Sequence, residues 1–141
     1  MATEAKLSAQ EVQALIYGGL PVAEETGIEI QQVDGRSAWV RQPFRENQIR
    51  PGGTLSGPTM MGLADAAMYA AILGALGPEK MALTQDLHIR FLRPPKAEDL
   101  LCHCEIVQLG RRSIILEARL YSASALDKPV AFVTGNYINP T

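Results

Sequence analysis

The stretch RPGGTLSGPTMMGLADAAMYAAIL, residues 50 to 73, opens on glycine and proline and then runs apolar around a single charged side chain, Asp65. Pro58 falls where proline is favoured, in a first helical turn, with Ser56 or Gly57 as the cap, and Gly77-Pro78 ends the segment. The pattern predicts one long helix that is apolar on every side and must be covered on every side. A carboxylate inside it needs a partner or a cleft, because an unpaired buried charge costs several kcal/mol or more. A helix start also gathers free amides and the positive end of the helix dipole, a place suited to an anion or a developing oxyanion.

Working outward, Ser8-Ala9-Gln10-Glu11 reads as a capping box, with Val12, Leu15 and Ile16 on one face of a short helix that runs to about Gly18. Gly19 and Pro21 stop it. Two short strands follow, Ile28 to Val33 and Ser37 to Gln42, joined at Asp34-Gly35, a strong hairpin signal. Beyond the long helix come four strand-like runs, Met81 to Leu92, Leu100 to Leu109, Ser113 to Ser122 and Val130 to Ile138, each separated by a turn signal. In the first run Leu83, Leu87, Ile89 and Phe91 alternate with Thr84, Asp86, His88 and Arg90, the pattern of a strand with one face in a core. The expected architecture is α+β: a curved antiparallel sheet of about six strands wrapped around one central helix, with a short N-terminal helix. The sheet covers only part of that helix, so a second copy of the chain is the expected supplier of the rest.

The 141 residues suit a single domain, residues 1–141, with 47% hydrophobic and 20% charged side chains and a net charge of -2. No basic stripe or aromatic-and-basic platform appears, so nucleic acid is not an expected partner. The apolar run from Pro58 to Leu76 approaches membrane-spanning length, yet Asp65 and the absence of flanking Lys, Arg or aromatic belts favour a buried helix over a membrane span. Cys102 and Cys104 sit two apart in one strand, cannot easily bridge each other and suggest a reducing compartment; with a start that does not read as a secretory signal, the expected location is cytoplasmic. Cys102-His103-Cys104 resembles a metal motif only on paper. In a strand the two thiols share a face and His103 points away, so no metal site is expected. Arg90, Arg93, Lys96, Arg111 and Arg112 read as solvated surface or as cations near strand ends that could meet phosphates. Met60, Met61 and Met68 read as packing, adaptable enough to border an apolar pocket. By helical spacing Met61, Met68 and Ile72 share Asp65's side.

The hairpin, the Gly-rich loop, LAD at 63 to 65, the strand TQDLHIRFLRP at 84 to 94 and the Gly110-Arg111 turn together resemble a hotdog-fold acyl-CoA thioesterase of the phenylacetate-pathway, PaaI-like kind. The match runs from about Gly27 to Tyr137, and its most specific part is G-T-L-x-G, seven residues, then an Asp, followed by an FLRP strand end. The resemblance implies a homodimer, or a dimer of dimers, with the site between subunits and an acyl-CoA as substrate. It implies no cofactor beyond the coenzyme A of that substrate and no membrane partner. Asp65 would act as general base or nucleophile, the Gly57 amide as the oxyanion hole, and Thr84, offered by the partner subunit, would place the water. Arg50 stands where the family often has Asn, with Asn47 as a possible substitute, and Ser56-Gly57-Pro58 stands where the loop usually reads His-Gly-Gly. Ser56, Met61, Met68, His88, Arg90, Arg111 and Arg112 are the candidate substrate contacts. Three rivals remain: a non-catalytic acyl-CoA-binding dimer, an enoyl-thioester hydratase or dehydratase, which would need a His beside the acid, and a structural dimer with no ligand.

Overall fold

The computed structural model describes residues 4–78 and 82–140. Helix α1, Ala9–Gly19, begins at the expected capping box: the Ser8 hydroxyl accepts from the Glu11 amide and the Glu11 carboxylate accepts from the Ser8 amide. Val12 and Ile16 are its buried positions. Pro21 does not only stop α1. It sits at the first position of a second short helix, α2, Pro21–Thr26, where its missing N–H is no loss, and Gly27 at φ 75° ends that helix in the left-handed region.

Strands β1, Glu29–Val33, and β2, Ser37–Gln42, form the expected hairpin. Asp34 Oδ1 accepts from the amides of Arg36 and Ser37 and from the Ser37 hydroxyl, while Gly35 takes the positive φ the turn requires. Helix α3, Gly57–Leu76, starts at the Ser56 cap, whose hydroxyl accepts from the Thr59 amide, and stops before Gly77. Strands β3, Leu83–Phe91, β4, Leu100–Leu109, β5, Ser113–Ser122, and β6, Ala131–Ile138, complete the chain. Met81, placed in the third strand by its apolar character, lies outside the described residues.

All six strands make one antiparallel sheet in the order β1-β2-β4-β5-β6-β3. Alternate residues Ala38 and Val40, Cys102 and Cys104, Ile114, Leu116, Ala118 and Leu120, and Val133 and Tyr137 turn inward and are buried. Against them α3 buries Met60, Leu63, Ala64, Ala67, Met68 and the whole run from Ala70 to Gly74. Among the described residues this is one helix long and apolar enough to cross a membrane, and here it fills the concave side of a sheet. Two glycines permit the closeness. A Cβ on Gly135 of β6 would lie 2.6 Å from the Met68 sulfur, and one on Gly74 would lie 3.1 Å from Val33. His103 points to the convex face and stacks on Trp39 with ring centroids 4.5 Å apart, so it does not converge with the two buried thiols.

The two edges of the sheet differ. Helix α1 covers β1: Gln13 Oε1 accepts from the Ile30 amide at 2.8 Å, and Tyr17 donates to the Ile28 carbonyl. Among the described residues nothing covers the outer edge of β3, which departs from the half-buried strand expected from its alternation. Leu83 is 63% and Phe91 51% exposed, and only Leu87 and Ile89 are partly buried. An uncovered, nine-residue edge carrying apolar side chains is a template for another strand.

Candidate active site

Asp65 lies on the least-covered face of α3, the stripe of Pro58, Met61, Gly62, Asp65 and Tyr69, in which the first three are exposed and Asp65 and Tyr69 half-buried. Met68 and Ile72, expected on the same side, are fully buried, because the sheet and α1 close over the C-terminal half of the helix. Two hydroxyls converge on one carboxylate oxygen. Thr84 donates to Asp65 Oδ1 at 2.8 Å, and the Tyr137 phenol lies 2.5 Å from Oδ1 and 2.8 Å from the Asp65 carbonyl. Tyr137 is 2% exposed; burial, and then the neighbouring Asp65 carboxylate, push its pKa far above that of a free phenol, so it stays a donor.

A β-bulge brings Thr84 to this place. The β3–β6 register pairs Thr84 with Tyr137 and Asp86 with Asn136, which leaves Gln85 as an extra residue. The extra residue flips Thr84 from the His88 face, where strict alternation puts it, onto the inner face with Leu87 and Ile89. Gln85 itself is held outside the ladder by the Asn136 amide, whose oxygen accepts from Ser113. Thr84 therefore reaches Asp65 within one chain, not from a partner as the resemblance implied, and its hydroxyl proton is committed to the carboxylate.

The same face borders a cavity of about 820 Å³ walled by α1, α2, the exposed face of α3 and the start of β3. Leu15, Leu20, Val22, Ile28, Leu63 and Tyr69 supply apolar wall, with Asp65, Thr84 and Tyr137 together on one side. Met61 and Met68 are absent from this wall: Met61 is 44% exposed to the side of it and Met68 is locked in the core. Arg50 and Asn47 are likewise exposed and off the cavity. Between them in sequence stands a residue not singled out earlier, Gln48, which lines the cavity and whose Oε1 is buried without a partner. A buried orphan acceptor invites a ligand donor or a water. Its signal in the sequence was only its position in the irregular loop before α3, where the chain's register relative to the helix is not fixed by any periodicity.

Gly57 opens α3 and carries one of the first-turn amides that have no intrahelical acceptor. Phe91 lies over it, 3.3 Å from where a Cβ would stand. Ser56 serves as the helix cap. Eight residues of helix separate Gly57 from Asp65, about 12 Å along the axis at 1.5 Å per residue. One carbonyl cannot touch both groups of one chain. His88 and Arg90 are exposed on β3, at mid-strand and toward the Phe91 end; Arg111 and Arg112 are exposed in the β4–β5 turn, at the end of the sheet where Thr84 and Tyr137 stand.

A model of the thioesterase superfamily matches residues 52–126, which spans the α3 start, Asp65 and β3 to β5. A proposed thioesterase of Silicibacter sp. TM1040 is 30% identical, with a TM-score of 0.89 over 100% of this chain and 97% of that one. The PaaI protein of E. coli, from the phenylacetic acid degradation operon, shares the fold at 21% identity, with a TM-score of 0.82 over 94% of each chain. A proposed esterase of Saccharolobus solfataricus is 25% identical over 99 residues, which is 70% of this chain but only 65% of that relative's length. The protein belongs to the thioesterase superfamily, and it has the hotdog fold of its PaaI-like members. Acyl-thioester hydrolysis is the chemistry of that family.

Proposed function

We propose that the protein hydrolyses an acyl-CoA thioester to the free acid and CoA, at a site built by two subunits from the Asp65 of one and the Gly57 amide of the other. The observation that carries the reading is Asp65 itself, set in the wall of an apolar cavity with two hydroxyls on Oδ1. That arrangement fixes the carboxylate and leaves Oδ2 for water. Oδ2 takes a proton as the water oxygen attacks the thioester carbon, the oxyanion forms against the partner's Gly57 N–H, and the C–S bond then breaks as Asp65 returns the proton to the CoA sulfur.

The uncovered edge of β3 supports the composite site. Two copies joined antiparallel along β3, with the two-fold axis near its midpoint at Leu87, bring the Thr84 end of one strand beside the Phe91 end of the other. Asp65 touches Thr84 and Gly57 lies under Phe91, so this pairing closes the distance that one helix leaves open. Arg111 and Arg112, at the Asp65 end of the sheet, and Arg90, on the β3 edge, are the cations best placed for CoA phosphates. A hydratase reading has less support, since His103 is stacked on the convex face and the bulge leaves His88 on the opposite face of β3 from Thr84 and Asp65.

The test uses two variants. Asp65→Asn removes the base, and Gly57→Pro deletes one amide in the first helical turn, where the backbone accepts proline and the Phe91 ring, 3.3 Å from the added Cβ, must give way. Each alone is expected to lower kcat by about 10²- to 10⁴-fold in a thiol-release assay. Mixed and re-equilibrated, they form heterodimers with one intact site, so about a quarter of wild-type activity returns if subunits pair at random. Near-normal turnover in Asp65→Asn sinks the assignment. Full loss in both without recovery on mixing, with exchange confirmed by mass, places the site within one chain instead.

A further inference from the structure

The helical glycines of this chain fall into two groups. Gly57 and Gly74 each face a side chain that a Cβ would crowd, Phe91 and Val33 respectively. Gly18, Gly19 and Gly62 have no atom within 4 Å of an added Cβ, and none of the three takes a positive φ. Neither packing within one chain nor backbone geometry therefore asks for glycine at these exposed positions, although glycine inside a helix lowers its stability. All three line the same cavity, and Gly62 stands one turn before Asp65 on its face of α3.

We infer that Gly62, with Gly18 and Gly19 across the cavity, is a specificity determinant that keeps space beside Asp65 for a bulky apolar acyl group, of medium-chain or aryl size. The cavity's volume falls in the range that encloses drug-sized ligands, far more than an acetyl group fills, and its wall beyond Asp65, Thr84 and Tyr137 is mainly aliphatic. Selectivity then follows from burial: each methylene an acyl chain adds inside the cavity strengthens binding, and a side chain at position 62 removes the room for it. Helix stability is given up at Gly62 for that room.

This inference rests on the hydrolytic reading for its kinetic test, and a binding measurement separates the two. Wild type, Gly62→Ala and Gly62→Leu are compared on acetyl-, octanoyl- and benzoyl-CoA. Wild type is expected to favour octanoyl- or benzoyl-CoA over acetyl-CoA by at least about tenfold in kcat/KM, and Gly62→Leu to cut that ratio by about tenfold or more. Gly62→Ala is expected to raise Tm by about 2–5 °C, as a helix-favouring change in open space should. Calorimetry with octanoyl-CoA against CoA is run in parallel on the same proteins. If wild type cleaves no thioester but binds octanoyl-CoA at least tenfold tighter than CoA, and Gly62→Leu abolishes the difference, the hydrolytic reading fails and the cavity assignment stands. An acetyl preference in wild type, an unchanged ratio in Gly62→Leu, or dissociation of the oligomer by Gly62→Ala overturns it, the last because position 62 would then face the partner's backbone rather than the acyl group.

Discussion

At the scale of single residues, the character of Asp65 is set by Tyr137. The phenol is buried and held protonated by burial and by the carboxylate beside it, so it remains a donor to Oδ1 as pH rises past the range of a free phenol. Tyr137→Phe removes one charge-assisted hydrogen bond, worth roughly 1.5–3 kcal/mol, while keeping the ring in the core. The expected result is a fall in kcat of about 10- to 100-fold with KM within about twofold, read by steady-state thiol release. An unchanged kcat would show that Thr84 alone orients the carboxylate. Asp65 could be singled out in the sequence because a charge within an apolar helix breaks a pattern. Tyr137 could not, because a tyrosine at an inward position of an alternating strand looks like any other core residue until the helix above it is placed.

At the scale of elements, the bulge in β3 decides what Thr84 does. Period-two reading put Thr84 with Asp86, His88 and Arg90, and nothing in TQDLHIRF marks Gln85 as the extra residue. A bulge arises from how two strands must match at both ends of their pairing, which is a property of the sheet and not of one strand. Deleting Gln85 removes the bulge and frees Asn136 of its partner, yet leaves Thr84 opposite Tyr137 and two places from Leu87, on the inner face. Activity is expected to hold within about threefold while circular dichroism and oligomeric state are unchanged, since both flanks of β3 still pair with β6. A loss of about tenfold or more would mean that the bulge itself, and not only the phase it sets, positions Thr84. The capping box, the Asp34-Gly35 turn and the limits of α3 were all legible, because each depends on neighbours a few residues apart. Helix α2 was missed because Pro21, read as a stop, equally suits a helix start.

At the scale of the whole molecule, the core carries three groups that resist deprotonation, Cys102, Cys104 and Tyr137. Burial raises all three, helped at Cys104 by the charges around it. The unfolded chain loses these protons near pH 9 for the thiols and 10 for the phenol, whereas the folded chain keeps them. The folded state then binds more protons, so stability is full below pH 9 and falls as pH rises beyond it, by up to about 1.4 kcal/mol per pH unit for each group. Urea midpoints between pH 7 and 11 should show this decline, and Cys102→Ala should make it shallower. A flat profile would contradict the burial of the thiols.

The sequence by itself determined the strands, two of the three helices, the family resemblance and the residue on which the proposed chemistry is centred. Its signals are local: a period, a cap, a turn, one charge out of place. Tertiary structure alone decided that Tyr137 and a re-aimed Thr84 hold Asp65, that Gln48 and not Arg50 reaches the cavity, and that Met61 and Met68 lie outside it. It also showed that Asp65 and Gly57 of one helix stand too far apart to share a substrate, while β3 is left uncovered. The physical reason is common to all of these. Each depends on which surfaces remain after the sheet has closed over α3, and that is settled by contacts between segments distant in the chain, which no local pattern records.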